Sequence, residues 1–318
     1  MQSSIVSTDG KKMVGSVIVT SNSSASDIFV SVFTYPFGDI TSAGGFGDMP
    51  RTLEMSSTNS SCPAALSCRV SFEFARPDWC NLIGKGVTIN ATVGGVSTVI
   101  RAVFGFGNLT AVNCNFAASY NSQPASAIVK LMPVNNSGVS GIVTFYLVNG
   151  ALSVRGNVSG LSRGSHGMHV HSFGDVRDTQ GAAFTGMHFA FEGQVHGLVS
   201  NSSRHTGDLG NIIADENGNS VFLIKVPNDM NPLRALSLLA ASGNAVGRSI
   251  IVHADVDDGI TQPTGNSGRR VAQGVIGYAQ YQQPPPEVVA DGLCNNGQGC
   301  VSGGDILAQC KGLSLIHI

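Results

Sequence analysis

The chain has eight histidines, and seven of them fall between His166 and His253, with none in the first 165 residues. Histidines spread by chance are surface or structural residues; seven crowded into one stretch point to metal. The run HGMHVHSFGD sets His169 and His171 two apart, and on a β-strand such residues face the same side, so both imidazoles can reach one ion. MHFAFEGQVHG sets His188 and His196 eight apart in a loop-like stretch, and RHTGDLGN sets His205 and Asp208 three apart. Three imidazoles and a carboxylate make a closed set that suits tetrahedral zinc. RSIIVHADVDD puts His253 at the end of a predicted strand, followed by acidic residues.

The framework around these ligands reads as β. Glycine is abundant (40) and charged residues are few (12%), which favours strands and turns over long helices. In residues 125–281, short apolar stretches are predicted as strands at 127–132, 141–147, 153–158, 168–173, 221–226, 249–254 and 274–279. Several alternate apolar and polar residues, as GIVTFYLV does, with one face for a core and one for water. Residues 1–121 are predicted to be a second, accessory β domain, with strands at 13–20, 28–34, 69–75 and 98–106. Its Cys62, Cys68, Cys80 and Cys114 suit two disulfides or four buried thiols. YQQPPPEVV follows the histidine-bearing domain as a stiff spacer, and residues 282–312 carry Cys294, Cys300 and Cys310 in a truncated Cys-rich segment. The last residues, LSLIHI (313–318), match a reading frame of a common sequencing adapter and are read as an assembly scar, so both true ends are expected to be missing.

A net charge of −2 offers no basic footprint for nucleic acid, and no run of about 18 apolar residues suggests a membrane span. Asn-x-Ser/Thr acceptors at Asn22, Asn59, Asn90, Asn108, Asn135, Asn157 and Asn201 lean toward a secreted glycoprotein, so an extracellular location is expected.

The runs HGMHVHSFGD, HFAFEGQVHG, RHTGDLGN, GRSIIVHADVDD and GRRVAQGVIGYAQ resemble copper/zinc superoxide dismutases in order and spacing. That resemblance implies an all-β Greek-key, eight-stranded flattened barrel or sandwich over residues 125–281, preceded by the second β-rich domain. It implies copper and zinc as cofactors and superoxide as substrate. By the same resemblance His169, His171, His188 and His253 are the copper ligands, and His188, His196, His205 and Asp208 the zinc ligands, with His188 bridging. Asp257 is then the carboxylate behind ligands of both sites, with Asp255 and Asp258 as competitors. His166 is a structural histidine behind the copper site, and Arg270 the substrate-holding arginine, with Arg269 beside it. A homodimer, and a matrix or surface partner for residues 1–121, are the associations to expect. The competing function is a non-enzymatic copper-binding or extracellular scaffold protein.

Two departures from the family stand out. The positions of its loop-to-strand disulfide read Ala182 and Gln273, so the loop, which also carries an insertion near 177–179, is expected to be looser. The loop between Asp258 and Arg270 is short, with Arg269 as its only extra charge, which predicts a slower enzyme with weak ionic-strength dependence. YPFGDITSAGG faintly echoes HSFGD, so residues 1–121 are either a degenerate repeat or an unrelated adhesion-type module.

Overall fold

The computed structural model describes residues 125–280 apart from 149–150, 232 and 240–241, together with seven strands in the first 106 residues and the turn at 83–85. Those seven strands are β1 (Ile5–Ser7), β2 (Lys12–Thr20), β3 (Ile28–Tyr35), β4 (Arg51–Thr58), β5 (Ser67–Ala75), β6 (Gly86–Val93) and β7 (Val96–Phe106). They form one sheet in the order β4-β3-β6-β7-β1-β2-β5. The short β1 runs parallel to β7, and the other pairings are antiparallel. The side chains of Cys62, Cys68, Cys80 and Cys114, and the whole of residues 281–318, lie outside the described residues.

The second sheet holds β8 (Ala125–Pro133), β9 (Ser140–Val148), β10 (Ala151–Ser159), β11 (Gly164–His171), β12 (Asp208–Ala214), β13 (Ser220–Val226), β14 (Ser249–His253), β15 (Arg270–Val275) and β16 (Gly277–Tyr278). Eight strands follow the path β12-β11-β14-β15-β8-β9-β10-β13, with β16 beside β8. All the ladders are antiparallel, and the end strands β12 and β13 lie side by side, so the barrel nearly closes. The connections β10–β11 and β13–β14 join strands that are not neighbours, as a Greek key requires. Among the described residues there is no α-helix; the one short helical turn is a 3-10 turn at Ala183–Thr185.

Alternation sets the interior. Val129 and Leu131 of β8, Val143 and Phe145 of β9, Met168 and Val170 of β11, and Ile250 and Val252 of β14 share one core. The residues between them on β11 and β14 (His169, His171, Ile251, His253) therefore face outward. They are nonetheless buried, because two long loops, 172–207 and 254–269, fold back over that outer wall. Ile251 packs there against Ala182 and Val134. The metal-type side chains thus lie between a rigid barrel wall and loops that must fold onto it.

The two parts of the chain touch. Val103 of β7 shares a buried cluster with Val176 and Val275, Tyr278 donates its backbone N–H to Gly84 O at 2.8 Å, and Gly105 lies against Gly174.

Candidate metal centre

Two groups of side chains bring their ligand atoms within 4.8 Å of one another: His169, His171, His188 and His253, and His188, His196, His205 and Asp208. All seven residues are buried. The i, i+2 pair of β11 supplies two of them, the last residue of β14 a third, and loop 172–207 the remaining histidines. Asp208 opens β12 and lies 2.8 Å from His188 Nδ1, 3.1 Å from His196 Nδ1 and 3.4 Å from His205 Nδ1.

The hydrogen bonds around the rings say which nitrogens are left to bind something. His169 Nε2–H donates to Asp257 Oδ2 (2.8 Å), and His196 Nε2–H to Asp257 Oδ1 (2.8 Å). His171 Nδ1–H donates to Gly186 O (2.9 Å), and His253 Nδ1–H to Gly268 O (3.1 Å). A ring nitrogen that donates fixes its partner as a bare lone pair. The atoms left over are His169 Nδ1, His171 Nε2, His188 Nε2, His196 Nδ1, His205 Nδ1 and His253 Nε2, each buried without a hydrogen-bond partner. One unpaired buried polar atom costs about 1–3 kcal/mol. Six converging ones fit a pair of cations, and the donor set of nitrogens and one carboxylate suits copper and zinc.

The electrostatics set the two groups apart. Burial, reinforced by neighbouring imidazoles, pushes His171 and His253 well below the usual histidine range, so both stay neutral. Burial and then His169 bring His188 down to about 4. Burial also disfavours the charged form of His196, but the carboxylates of Asp208 and Asp257 outweigh it and raise the group to about 9, so that Nδ1 carries a proton which a bound cation displaces. For Asp208 and Asp257 burial opposes ionisation, and hydrogen bonds from the imidazoles override it and hold both carboxyls well below the usual range.

The copper/zinc superoxide dismutase (SODC) family profile matches residues 139–276. "Superoxide dismutase (Cu-Zn) 3" of Arabidopsis thaliana is 40% identical over 152 residues, covering 45% of this chain and 85% of that protein. The chain belongs to the copper/zinc superoxide dismutase family. Its dismutase domain uses copper and zinc and acts on superoxide.

The other predicted residues also find places. Asp257 sits between the two clusters, and Asn211 locks it by giving a side-chain N–H to Asp257 O (2.9 Å) and accepting the Asp257 N–H (2.8 Å). Asp255 and Asp258 do not reach the imidazoles; the Asp258 carboxylate caps the turn at Ile260 and Thr261. His166 has Nδ1 at 3.0 Å from His253 O and Nε2 at 2.8 Å from Ser162 O, so neither nitrogen faces the clusters. Arg270 Nη1 donates to Ala182 O (2.5 Å) and Thr185 Oγ1 (2.9 Å), and Nη2 to Gly186 O (2.6 Å). With Arg269, Asn135, Gln180, Gly181 and Gly268 it lines a pocket of about 240 Å³.

The expected looseness of loop 172–187 does not appear in its contacts. Gln273, fully buried on β15, donates its side-chain amide to Asp178 O (2.8 Å) and Val176 O (3.2 Å). The Asp178 carboxylate in turn accepts the N–H groups of Gln180, Gly181 and Ala183. Ala182, a non-glycine residue held at φ 55°, is fixed between Asp178 and Arg270. Where the family's disulfide positions read Ala182 and Gln273, hydrogen bonds from Gln273 tie the loop to β15.

Sequence reasoning missed several positioning residues: the carbonyls of Gly186 and Gly268, Asn211, and Gln262, whose side chain pairs with both backbone groups of His196. Gly265 belongs with them. Its φ is +68°, and a Cβ there would fall 2.0 Å from Asp257 Oδ1 and 2.5 Å from His196 Nε2.

Proposed function

We propose that His169, His171, His188 and His253 hold the copper and that His188, His196, His205 and Asp208 hold the zinc, with His188 shared. The observation that carries this reading is the sorting of the unpaired ring nitrogens. His169 Nδ1, His171 Nε2, His188 Nε2 and His253 Nε2 form one all-imidazole set, which suits copper in both of its oxidation states. Three imidazoles with Asp208 suit an ion that keeps one charge and one tetrahedral geometry. When bound, copper supplies one-electron exchange, taking an electron from one superoxide to release O₂ and giving it to a second that leaves as H₂O₂ after taking up two protons.

The chain's own residues do the rest. His188 presents Nε2 to the first set and Nδ1 to Asp208. Nε2 is therefore the atom placed to take up a proton and pass it on, while the second set keeps the ring from swinging away. Asp257 fixes His169 and His196 in one tautomer each. Arg270 binds and orients the anion. Its Nη1 hydrogens are both spent on the loop, which leaves Nε–H and one Nη2–H as a rigid donor pair on a permanent cation.

The test is superoxide dismutation by the full chain loaded with copper and zinc, with metal counts. Two metals per chain, loss of copper and of activity in His171→Ala, and a loss of about tenfold or more with metals retained in Arg270→Gln are the expected results. Full copper loading of His171→Ala would sink the assignment.

A further inference from the structure

Residues 5–106 carry the marks of a second dismutase barrel. LIGKGVTINATV (82–93) aligns without a gap with AVGRSIIVHADV (245–256), FTYPFGDI (33–40) with HVHSFGDV (169–176), GDM (47–49) with GDL (207–209), and RAVFGFG (101–107) with QGVIGYA (273–279). The strands agree with this alignment. β3 ends at Tyr35 and β11 at the matching His171; β6 starts at Gly86 and β14 at the matching Ser249. The registers agree too. Thr34 pairs with Val87 as Val170 pairs with Ile250, and Gly86 pairs with Val103 as Ser249 pairs with Val275. The order β4-β3-β6-β7-β1-β2-β5 is the order β12-β11-β14-β15-β8-β9-β10-β13 with β10 left out, so that β5 pairs with β2 directly. One joint differs: β1 runs parallel to β7, whereas β8 and β15 are antiparallel.

The copy cannot hold the metals. Phe33, Tyr35 and Asn90 stand where the barrel has His169, His171 and His253, and the stretches matching the two long loops are cut short. What it keeps is the surface by which it touches the dismutase domain. Val103 and Val275, which match under the alignment, meet in one buried cluster with Val176. Gly84, the counterpart of Gly247, accepts the Tyr278 N–H, and a Cβ on Gly84 would fall 2.0 Å from Val246 Cγ1. A Cβ on Gly105 would fall 2.2 Å from Gly174 O, and one on Gly174 would fall 2.9 Å from Gly105 Cα. Contact of a segment with its own counterpart is the signature of a two-fold interface.

We infer that the chain is an internal pair: residues 5–106 are a metal-free copy of the barrel that occupies, through matching segments, the face of the dismutase domain that a second copy would use. The occupied face borders the active site. Gly174 and Val176 belong to the loop whose Ala182 and Gly186 carbonyls hold Arg270, so the copy also braces that loop. The homodimer expected from sequence is, on this face, closed.

The Tyr278 amide is the reporter, because its partner is Gly84 O. The experiment is hydrogen exchange and sedimentation of the full metal-loaded chain and of Val103→Asp. The unmodified chain is expected to sediment as one chain with Tyr278 protected, and Val103→Asp to speed exchange at Tyr278 by about a hundredfold or more, whether the variant undocks the copy or unfolds it. Unchanged exchange at Tyr278 in Val103→Asp, or an unmodified chain that dimerises through the face of Gly247 and Tyr278, would overturn the inference.

Discussion

At the scale of single residues, the proposed ligands were legible because few side chains can bind a metal and their spacing shows which face they share. Their supports were not. Gly186 and Gly268 act through backbone carbonyls that every residue has, and Gly265 acts by lacking a side chain beside Asp257. Asp257 was the intermediate case, found through its resemblance and separated from Asp255 and Asp258 only by geometry. Because one carboxylate orients a histidine of each cluster, Asp257→Ala is expected to weaken retention of both ions by about 10- to 100-fold. Competition with a chelator, read separately for copper and zinc, checks this; weakening of one ion alone would show that the two clusters are not joined through Asp257.

At the scale of elements, alternation revealed β9 and β13, whose apolar residues face one core, but it missed β12 and the start of β11. Gly210 of β12 has φ +82°, and Asp208 and Asn211 of the same strand serve the metal centre, so the pattern of an ordinary half-buried strand is absent. Ser165, His166 and Gly167 read as loop because the cover that buries His166 and Gly167 comes from distant segments. Loop 172–187 hangs on Gln273, a polar residue that a core position would exclude were there no carbonyls to meet. Gln273→Met keeps the bulk and removes two hydrogen bonds, each worth about 0.5–1.5 kcal/mol. The expected outcome is a lower melting temperature, faster amide exchange at 176–183, and a weaker hold on small anions such as azide in a titration of the copper absorption. Unchanged azide affinity with a lowered melting point would limit Gln273 to a structural part.

At the scale of the whole molecule, charge is sparse. The net charge is −2, and the loop from Gly259 to Gly268 carries no charged residue. Arg269 and Arg270 are the only cations lining the pocket. Long-range guidance of superoxide should therefore be slight, and kcat/KM is expected to fall by less than about threefold as ionic strength rises from about 0.01 M to 0.5 M. A steep fall, measured by pulse radiolysis, would show a guiding field from elsewhere on the surface. The contact of Gly84, Val103 and Gly105 with the dismutase domain bears on a different variable, dilution. Partners on separate chains meet in proportion to their concentration, whereas two halves on one chain meet at an effective concentration set by the connecting segment. A pair built this way does not come apart when the protein becomes scarce.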